Sequence, residues 1–227
     1  MTRGRKGRSR ARRGIAPVWA LVLTGILAPG ATLANPAPVQ TGFASLPASL
    51  PASTHPVRAG GSAVPTQAWL AFCQRLPGEC ALDETEPTVI TLDSETWAEI
   101  VAVNARVNRD ILPVTDQDHW GELDRWDYPD DGMGDCEDIQ LLKRRQLVES
   151  GLPRRALRMT VVIDEEGAGH AVMMVRTDRG DFILDNKRDA VLPWSQTGYT
   201  YVKREGAEGK AWVSLTDRAG PMLTANK

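Results

Sequence analysis

The chain has 227 residues, 42% hydrophobic and 25% charged, enough for one compact domain and little more. Its formal charge is −2, yet seven basic residues and no acids stand in the first 34 positions; without them 20 Lys+Arg face 29 Asp+Glu, a charge of −9. So acidic a remainder excludes nonspecific nucleic-acid binding and suits a divalent cation or a basic substrate segment.

Arg3, Arg5, Lys6, Arg8, Arg10, Arg12 and Arg13 precede an apolar run from Val18 to Leu27 and a small-residue stretch ending Thr32-Leu33-Ala34. That order predicts a secretory signal peptide over 1–34, cut near Ala34. The apolar run is too short to span a bilayer comfortably, which disfavours the alternative of an uncleaved anchor. Residues 35–65 are rich in Pro, Ala, Ser, Thr and Gly, without a sustained period, and read as a disordered linker. One folded domain is expected over 66–227.

Thr66 can cap a short helix carrying Trp69, Leu70 and Phe72. Cys73 on that helix and Cys80 just after it can close a disulfide in an oxidising compartment. Thr88 to Leu92 reads as a short strand. A longer helix follows behind an Asp93 or Ser94 cap, with Trp97, Ile100, Val101, Asn104, Val107 and Ile111 at helical spacing, and ends at Pro113. Thr115 to Gly134, dense in Asp, Trp, Gly and Pro, has neither period and reads as one long loop. Cys136 to about Glu149 is a helix with Ile139, Leu142 and Gln146 along one side, closed by Gly151 and Pro153. Leu157–Ile163, His170–Arg176, Phe182–Leu184, Tyr199–Lys203 and Lys210–Leu215 are strand candidates. Helices first and strands afterwards predict an α+β fold, N-terminal helices packed on a C-terminal antiparallel sheet.

Cys136 is left without a partner in the chain. Such a thiol is inert and buried, bridged to another molecule, or a nucleophile. Gly132-Met133-Gly134 before it and a helix after it place the sulfur where unsatisfied N–H groups and the helix dipole favour a thiolate. His170 is either a packed histidine or the base. If the hairpin turns at Asp178-Arg179, paired positions sum to 357; His170 then faces Lys187 and Asp185 lies diagonally on the same face, within reach of the imidazole. Cys136, His170 and Asp185 would then be the three parts of a thiol hydrolase. Asp135, Glu137 and Asp138 oppose a thiolate by like charge. Either they form a solvated helix cap or a hard, oxygen-seeking cation balances them, and calcium suits an acidic loop better than magnesium.

Gly134-Asp135-Cys136-Glu137-Asp138, Gly169-His170-Ala171 and Leu184-Asp185-Asn186, together with Phe72-Cys73, Pro77 and Glu79-Cys80, resemble motifs of the bacterial transglutaminase-like cysteine peptidases, the group that includes the LapG-type proteases. The resemblance runs from Trp69 to Trp194 and takes in Trp126. It implies a papain-like or transglutaminase-like core and calcium-dependent proteolysis in the periplasm by Cys136, His170 and Asp185. It makes Asp135, Glu137 and Asp138 calcium ligands. As substrate it implies an exported or cell-surface protein such as a large biofilm adhesin, and as regulator an inner-membrane cyclic di-GMP receptor. Acyl transfer to an amine, or a calcium-responsive binding module in which Cys136 is incidental, are the competing readings.

Overall fold

The computed structural model describes residues 49–208 and 211–215. The chain divides into residues 1–44 and 45–227, and every described residue belongs to the second part. The expected signal peptide and the first half of the expected linker lie outside the described residues. No helix among the described residues is long and apolar enough to cross a membrane.

Apart from a two-residue strand at Ser62–Ala63, helices do precede the main sheet. α1 (Gln67–Arg75) starts at Thr66, whose side chain accepts the Trp69 N–H. α2 (Ser94–Asp110) starts at Asp93, which accepts the Thr96 N–H. In both, a short oxygen-bearing side chain satisfies a donor that the first helical turn leaves free. The Cys73–Cys80 disulfide joins α1 to a short 3-10 turn, Pro77–Cys80. By the entropy of closing so short a loop, Cys80→Ala is expected to destabilise the domain by about 2 kcal/mol, read from chemical denaturation.

Five longer strands and two short ones form one antiparallel sheet. With β1 (Ser62–Ala63), β4 (Leu157–Ile163), β5 (Gly169–Thr177), β6 (Gly180–Asp185), β7 (Arg188–Pro193), β8 (Thr200–Glu205) and β9 (Trp212–Ser214), the order is β1-β9-β8-β4-β5-β6-β7. The β5–β6 hairpin pairs Thr177 with Gly180 and Met173 with Leu184, the expected register, but the pairing ends there: His170 does not face Lys187, which lies in the turn between β6 and β7. On one face Met173, Val175, Phe182 and Leu184 pack with Trp97, Ile100 and Val107 of α2 and with Ile139 and Leu147 of α4 (Cys136–Glu149). Met159 and Val161 continue that face under Trp69, Phe72, Trp126 and Trp212.

Several expectations are corrected. Residues 49–65 dock on the sheet instead of standing off as linker: Val57 on its other face, Ser62–Ala63 as its edge strand and Leu50 against the helix-side core. The Thr54 N–H donates to the Arg179 carbonyl at 2.7 Å, the Val57 N–H to Asp181 Oδ2 at 2.8 Å and the Gly60 N–H to the Ser214 carbonyl at 2.7 Å. Val57 is buried among Val162, Val172, Met174 and Ile183. Composition misleads here because an extended strap needs few apolar side chains when its backbone is satisfied by the sheet. It passes so close to the hairpin turn that a Cβ at Gly180 would lie 2.8 Å from the Thr54 carbonyl oxygen.

The long loop also contains structure: α3 (Asp116–His119), and a parallel pair of β2 (Leu112–Pro113) with β3 (Met133–Gly134). β7 escaped the sequence reading because it is a half-exposed edge strand ending in Pro193, with little alternation to read. The last strand is shorter than expected, Trp212–Ser214, and positions 209–210 lie outside the described residues. In α4 burial extends well beyond one apolar side, taking in Glu137, Asp138, Gln140, Lys143 and Arg144.

Candidate active site

Cys136 opens α4, and its approach is fixed by β2 and β3: the Leu112 N–H donates to the Gly132 carbonyl at 2.9 Å and the Val114 N–H to the Gly134 carbonyl at 3.1 Å. The sulfur accepts the Ala171 N–H at 3.3 Å, which places it against β5 one residue from His170. Its own hydrogen points to Glu137 Oε2 at 3.1 Å. His170 Nε2 lies 2.9 Å from Asp185 Oδ1. The three expected residues are thus gathered at one end of β5, with Cys136 and His170 each 2% and Asp185 1% exposed.

The acid is held from several directions. Asp185 Oδ1 accepts the Lys187 N–H at 3.0 Å, and Oδ2 accepts the Tyr199 hydroxyl at 2.6 Å with Arg188 Nε at 3.4 Å. The Tyr199 ring stands edge-on to the imidazole, centroids 5.7 Å apart. Burial would raise the Asp185 carboxyl, but the hydrogen bond and charge of His170 and the Tyr199 hydroxyl hold it down at about 2. Asp185 is therefore ionised across the physiological range.

Cys136 goes the other way. Burial, with the charges of Asp135 and Asp138, pushes its thiol up to about 12, against smaller opposing effects of Glu137 and the Ala171 N–H. The helix terminus alone does not make a thiolate here; desolvation and neighbouring acids win.

Those acids form a cluster larger than the sequence indicated. Asp135, Glu137 and Asp138 are joined by Asp116 at the start of α3 and by Asp124. Two groups, Asp116-Asp135-Asp138 and Asp116-Asp124-Glu137, each bring three carboxylate oxygens within 4.8 Å of one another. Asp116 Oδ2 accepts the Arg125 N–H, Asp135 Oδ2 accepts the Asp116 N–H at 3.3 Å and Asp138 Oδ1 accepts the Asp127 N–H at 2.7 Å. The buried oxygens Asp116 Oδ1, Asp135 Oδ1 and Glu137 Oε1 have no hydrogen-bond partner. Burial raises Asp135 to about 6, Asp124 to about 7 and Asp138 to about 9, and it lifts Glu137 well above the carboxylate range. Buried oxygens left unpaired in so acidic a site fit a hard cation, which would satisfy them and remove the mutual repulsion.

Gly134 belongs to this site through space. A Cβ there would lie 2.8 Å from Asp138 Cβ and 2.9 Å from its Oδ2, with Pro129 Cβ at 3.1 Å. Gly134→Ala is expected to displace Asp138, to destabilise the fold by about 1–3 kcal/mol and to weaken any cation-dependent rise in melting temperature. Thermal melts with and without calcium read both effects.

Trp126, whose role the sequence left open, is fully buried against Trp212, and its indole N–H donates to Asp124 Oδ1 at 3.1 Å. It steers one of the clustered acids. Asp116 and Asp124 were missed because they lie 20 and 12 residues before Cys136 in a segment without periodicity. Tyr199 was missed because it stands just before β8, outside the hairpin register that tied Asp185 to His170, and Asn104 because its spacing placed it in the core stripe of α2.

A lone sulfur at a helix N-terminus, beside a strand whose histidine is bonded to an ionised carboxylate, is the constellation of enzymes that use a cysteine nucleophile. The chain belongs to the family described as bacterial transglutaminase-like cysteine proteinase, which matches residues 59–219, and it is a cysteine peptidase. Among solved structures it is similar to Legionella pneumophila LapG, at 27% identity over 54% of this chain and 71% of that one, with a TM-score of 0.46. The calcium-bound form of the same protein gives 27% identity over 56% and 74%, TM-score 0.46; the EGTA-treated form gives 28% over 52% and 67%, TM-score 0.45. No curated protein matches the chain.

Proposed function

We propose that the protein is a calcium-dependent periplasmic endopeptidase in which Cys136, His170 and Asp185 act together on an exported or cell-surface protein. The observation that supports the reading is the Ala171 N–H bonded to the Cys136 sulfur, because it holds the sulfur against β5 at the residue next to His170, whose Nε2 is bonded to Asp185. Nδ1 is then the nitrogen that takes the thiol proton. The sulfur attacks the peptide carbonyl carbon, the C–N bond breaks as His170 returns the proton to the leaving amine, and water cleaves the thioester to restore the thiol. Asp185 keeps the imidazole in the orientation this requires and steadies its positive charge.

Asp116, Asp124, Asp135, Glu137 and Asp138 are the residues that would hold calcium. When bound, the cation supplies positive charge that cancels the carboxylate repulsion now opposing a thiolate at Cys136. Oxygen donors only, three of them buried carboxylate oxygens without a partner, favour calcium over softer metals.

Secretion rests on the basic, apolar and small-residue order of residues 1–34. The more particular substrate, a large biofilm adhesin, and control by an inner-membrane cyclic di-GMP receptor rest on the family resemblance of the motifs. The experiment that tests the whole reading incubates the chain with candidate surface proteins, with calcium and with a chelator, and maps the new N-termini. Calcium-dependent fragments are the expected result. A crosslinked product of higher mass would instead assign acyl transfer to an amine, and intact proteins that bind the chain only in calcium would assign a binding module.

A further inference from the structure

Lys143 is fully buried in α4 and takes no part in the chemistry above. It lies seven residues beyond Cys136, two helical turns on, so the ammonium and the sulfur project from nearly the same face of α4, about 10 Å apart along its axis. Its Nζ donates to Asn104 Oδ1 of α2 at 2.8 Å. Asn104 is also fully buried, and all four of its side-chain hydrogen-bonding positions are used. Oδ1 accepts the Asp185 N–H at 3.2 Å as well, while Nδ2 donates to the Arg188 carbonyl at 3.1 Å and the Asp189 carbonyl at 3.0 Å. One turn later, Asn108 Nδ2 donates to the Asp185 carbonyl at 2.9 Å. The backbone of Asp185 is thereby gripped on both its N–H and its C=O by α2.

A buried ammonium is costly unless it is paired, and here its hydrogen bond goes to the neutral Asn104 amide. Burial lowers Lys143 to about 7, opposed by the charges of Asp185 and Asp189. Its donor also settles which way the Asn104 amide points. With the amide reversed, its NH₂ would face both the ammonium and the Asp185 N–H, and its oxygen would face two carbonyls. Lys143 thus adds a second donor to an amide oxygen that already accepts the Asp185 N–H, tying the nucleophile helix to the backbone of the acid.

Resting on the peptidase reading, we propose that Lys143 and Asn104 are positioning residues: a buried hydrogen-bonded link from the nucleophile helix to the β6–β7 turn that sets the Asp185–His170 pair in register with Cys136. The link joins three elements that are far apart in sequence, α4, α2 and the β6–β7 turn. It acts on the orientation of Asp185 and touches neither substrate nor sulfur.

The test uses Lys143→Met, which fills nearly the same volume, and Asn104→Leu, each checked for folding by thermal melting. The Nε2 proton that His170 shares with Asp185 gives a far-downfield proton NMR line, identified by its absence in His170→Ala. In both variants that line is expected to move upfield or broaden away, and alkylation of Cys136 by iodoacetamide at neutral pH to slow about tenfold. Folded variants that keep both the line and the rate of the parent would overturn the proposal. If Asn104→Leu does not fold, Lys143→Met decides alone. The peptidase reading fails separately: His170→Ala would then leave the alkylation rate unchanged, while the imidazole line would still report whether Lys143 and Asn104 hold the dyad.

Discussion

Cys136→Ala and His170→Ala are each expected to reduce cleavage of a mapped substrate by about 10³-fold or more while leaving the domain folded. The sulfur packs chiefly on Ala171, so losing it removes little apolar contact and shifts the melting temperature by only a few degrees. Asp185→Asn should be nearly as damaging to activity, because an amide can present the wrong group to Nε2 and cannot steady an imidazolium. The variant loses as well the ionic contact with Arg188. Initial rates on one substrate, with melting curves for each variant, separate loss of chemistry from loss of fold. Cleavage that survives either Cys136→Ala or His170→Ala would end the assignment of these residues.

The second large effect is the response of stability to pH and calcium. In the metal-free fold Asp135, Asp124 and Asp138 sit at about 6, 7 and 9, well above the value of an exposed aspartate, and Glu137 moves the same way. The folded chain therefore holds protons that the unfolded chain has already released. Raising the pH between about 4 and 9 draws the equilibrium toward the unfolded state, so the chelated protein should melt progressively lower across that window. Asp185, held near 2, contributes with the opposite sign and only in acid: its stabilisation is present above about pH 4 and disappears as the pH falls toward 2. Calcium at a hundredfold excess over its dissociation constant should add about 3 kcal/mol, a rise of about 5–10 °C, and should flatten the alkaline decline. A chelated protein whose melting temperature does not fall between pH 5 and 8, and does not rise with calcium, would remove the cation from this site.

Part of this architecture was readable in one dimension because the forces that set it are local. A threonine or aspartate ahead of an apolar stripe places a helix start, and both expected caps are made, by Thr66 and by Asp93. The β5–β6 register could be counted because a tight turn fixes pairing and a period of two fixes which side chains share a face. That count is what put Asp185 within reach of His170, where the structure has it at 2.9 Å.

Other features were illegible for reasons that can be named. Asn104 sat in the apolar stripe of α2, and its polarity was the signal: a residue able to make four hydrogen bonds does not go into a core unless partners wait there. Lys143 and Arg144, to which the sequence assigned no place, are buried because α4 is enclosed by α2 as well as by the sheet. Arg144 Nη1 meets Glu205 Oε2 at 2.8 Å across that interior. The strap 49–65 carries little hydrophobic signal, since few of its side chains, Val57 and Leu50 among them, pack on the core while its backbone supplies most of the docking.

By itself the sequence determined the kind of fold, the lone thiol at a helix start, the histidine strand and the reach of its aspartate, because periodicity, capping and strand register depend on neighbours along the chain. Only the tertiary structure decided the charge state of that thiol, the five-carboxylate cluster beside it and the links through Tyr199, Asn104 and Lys143. Those depend on burial and on contacts between separate elements, from 14 positions apart for Tyr199 and Asp185 to 81 for Asn104 and Asp185, and desolvation is a property of the enclosing volume that no linear spacing encodes.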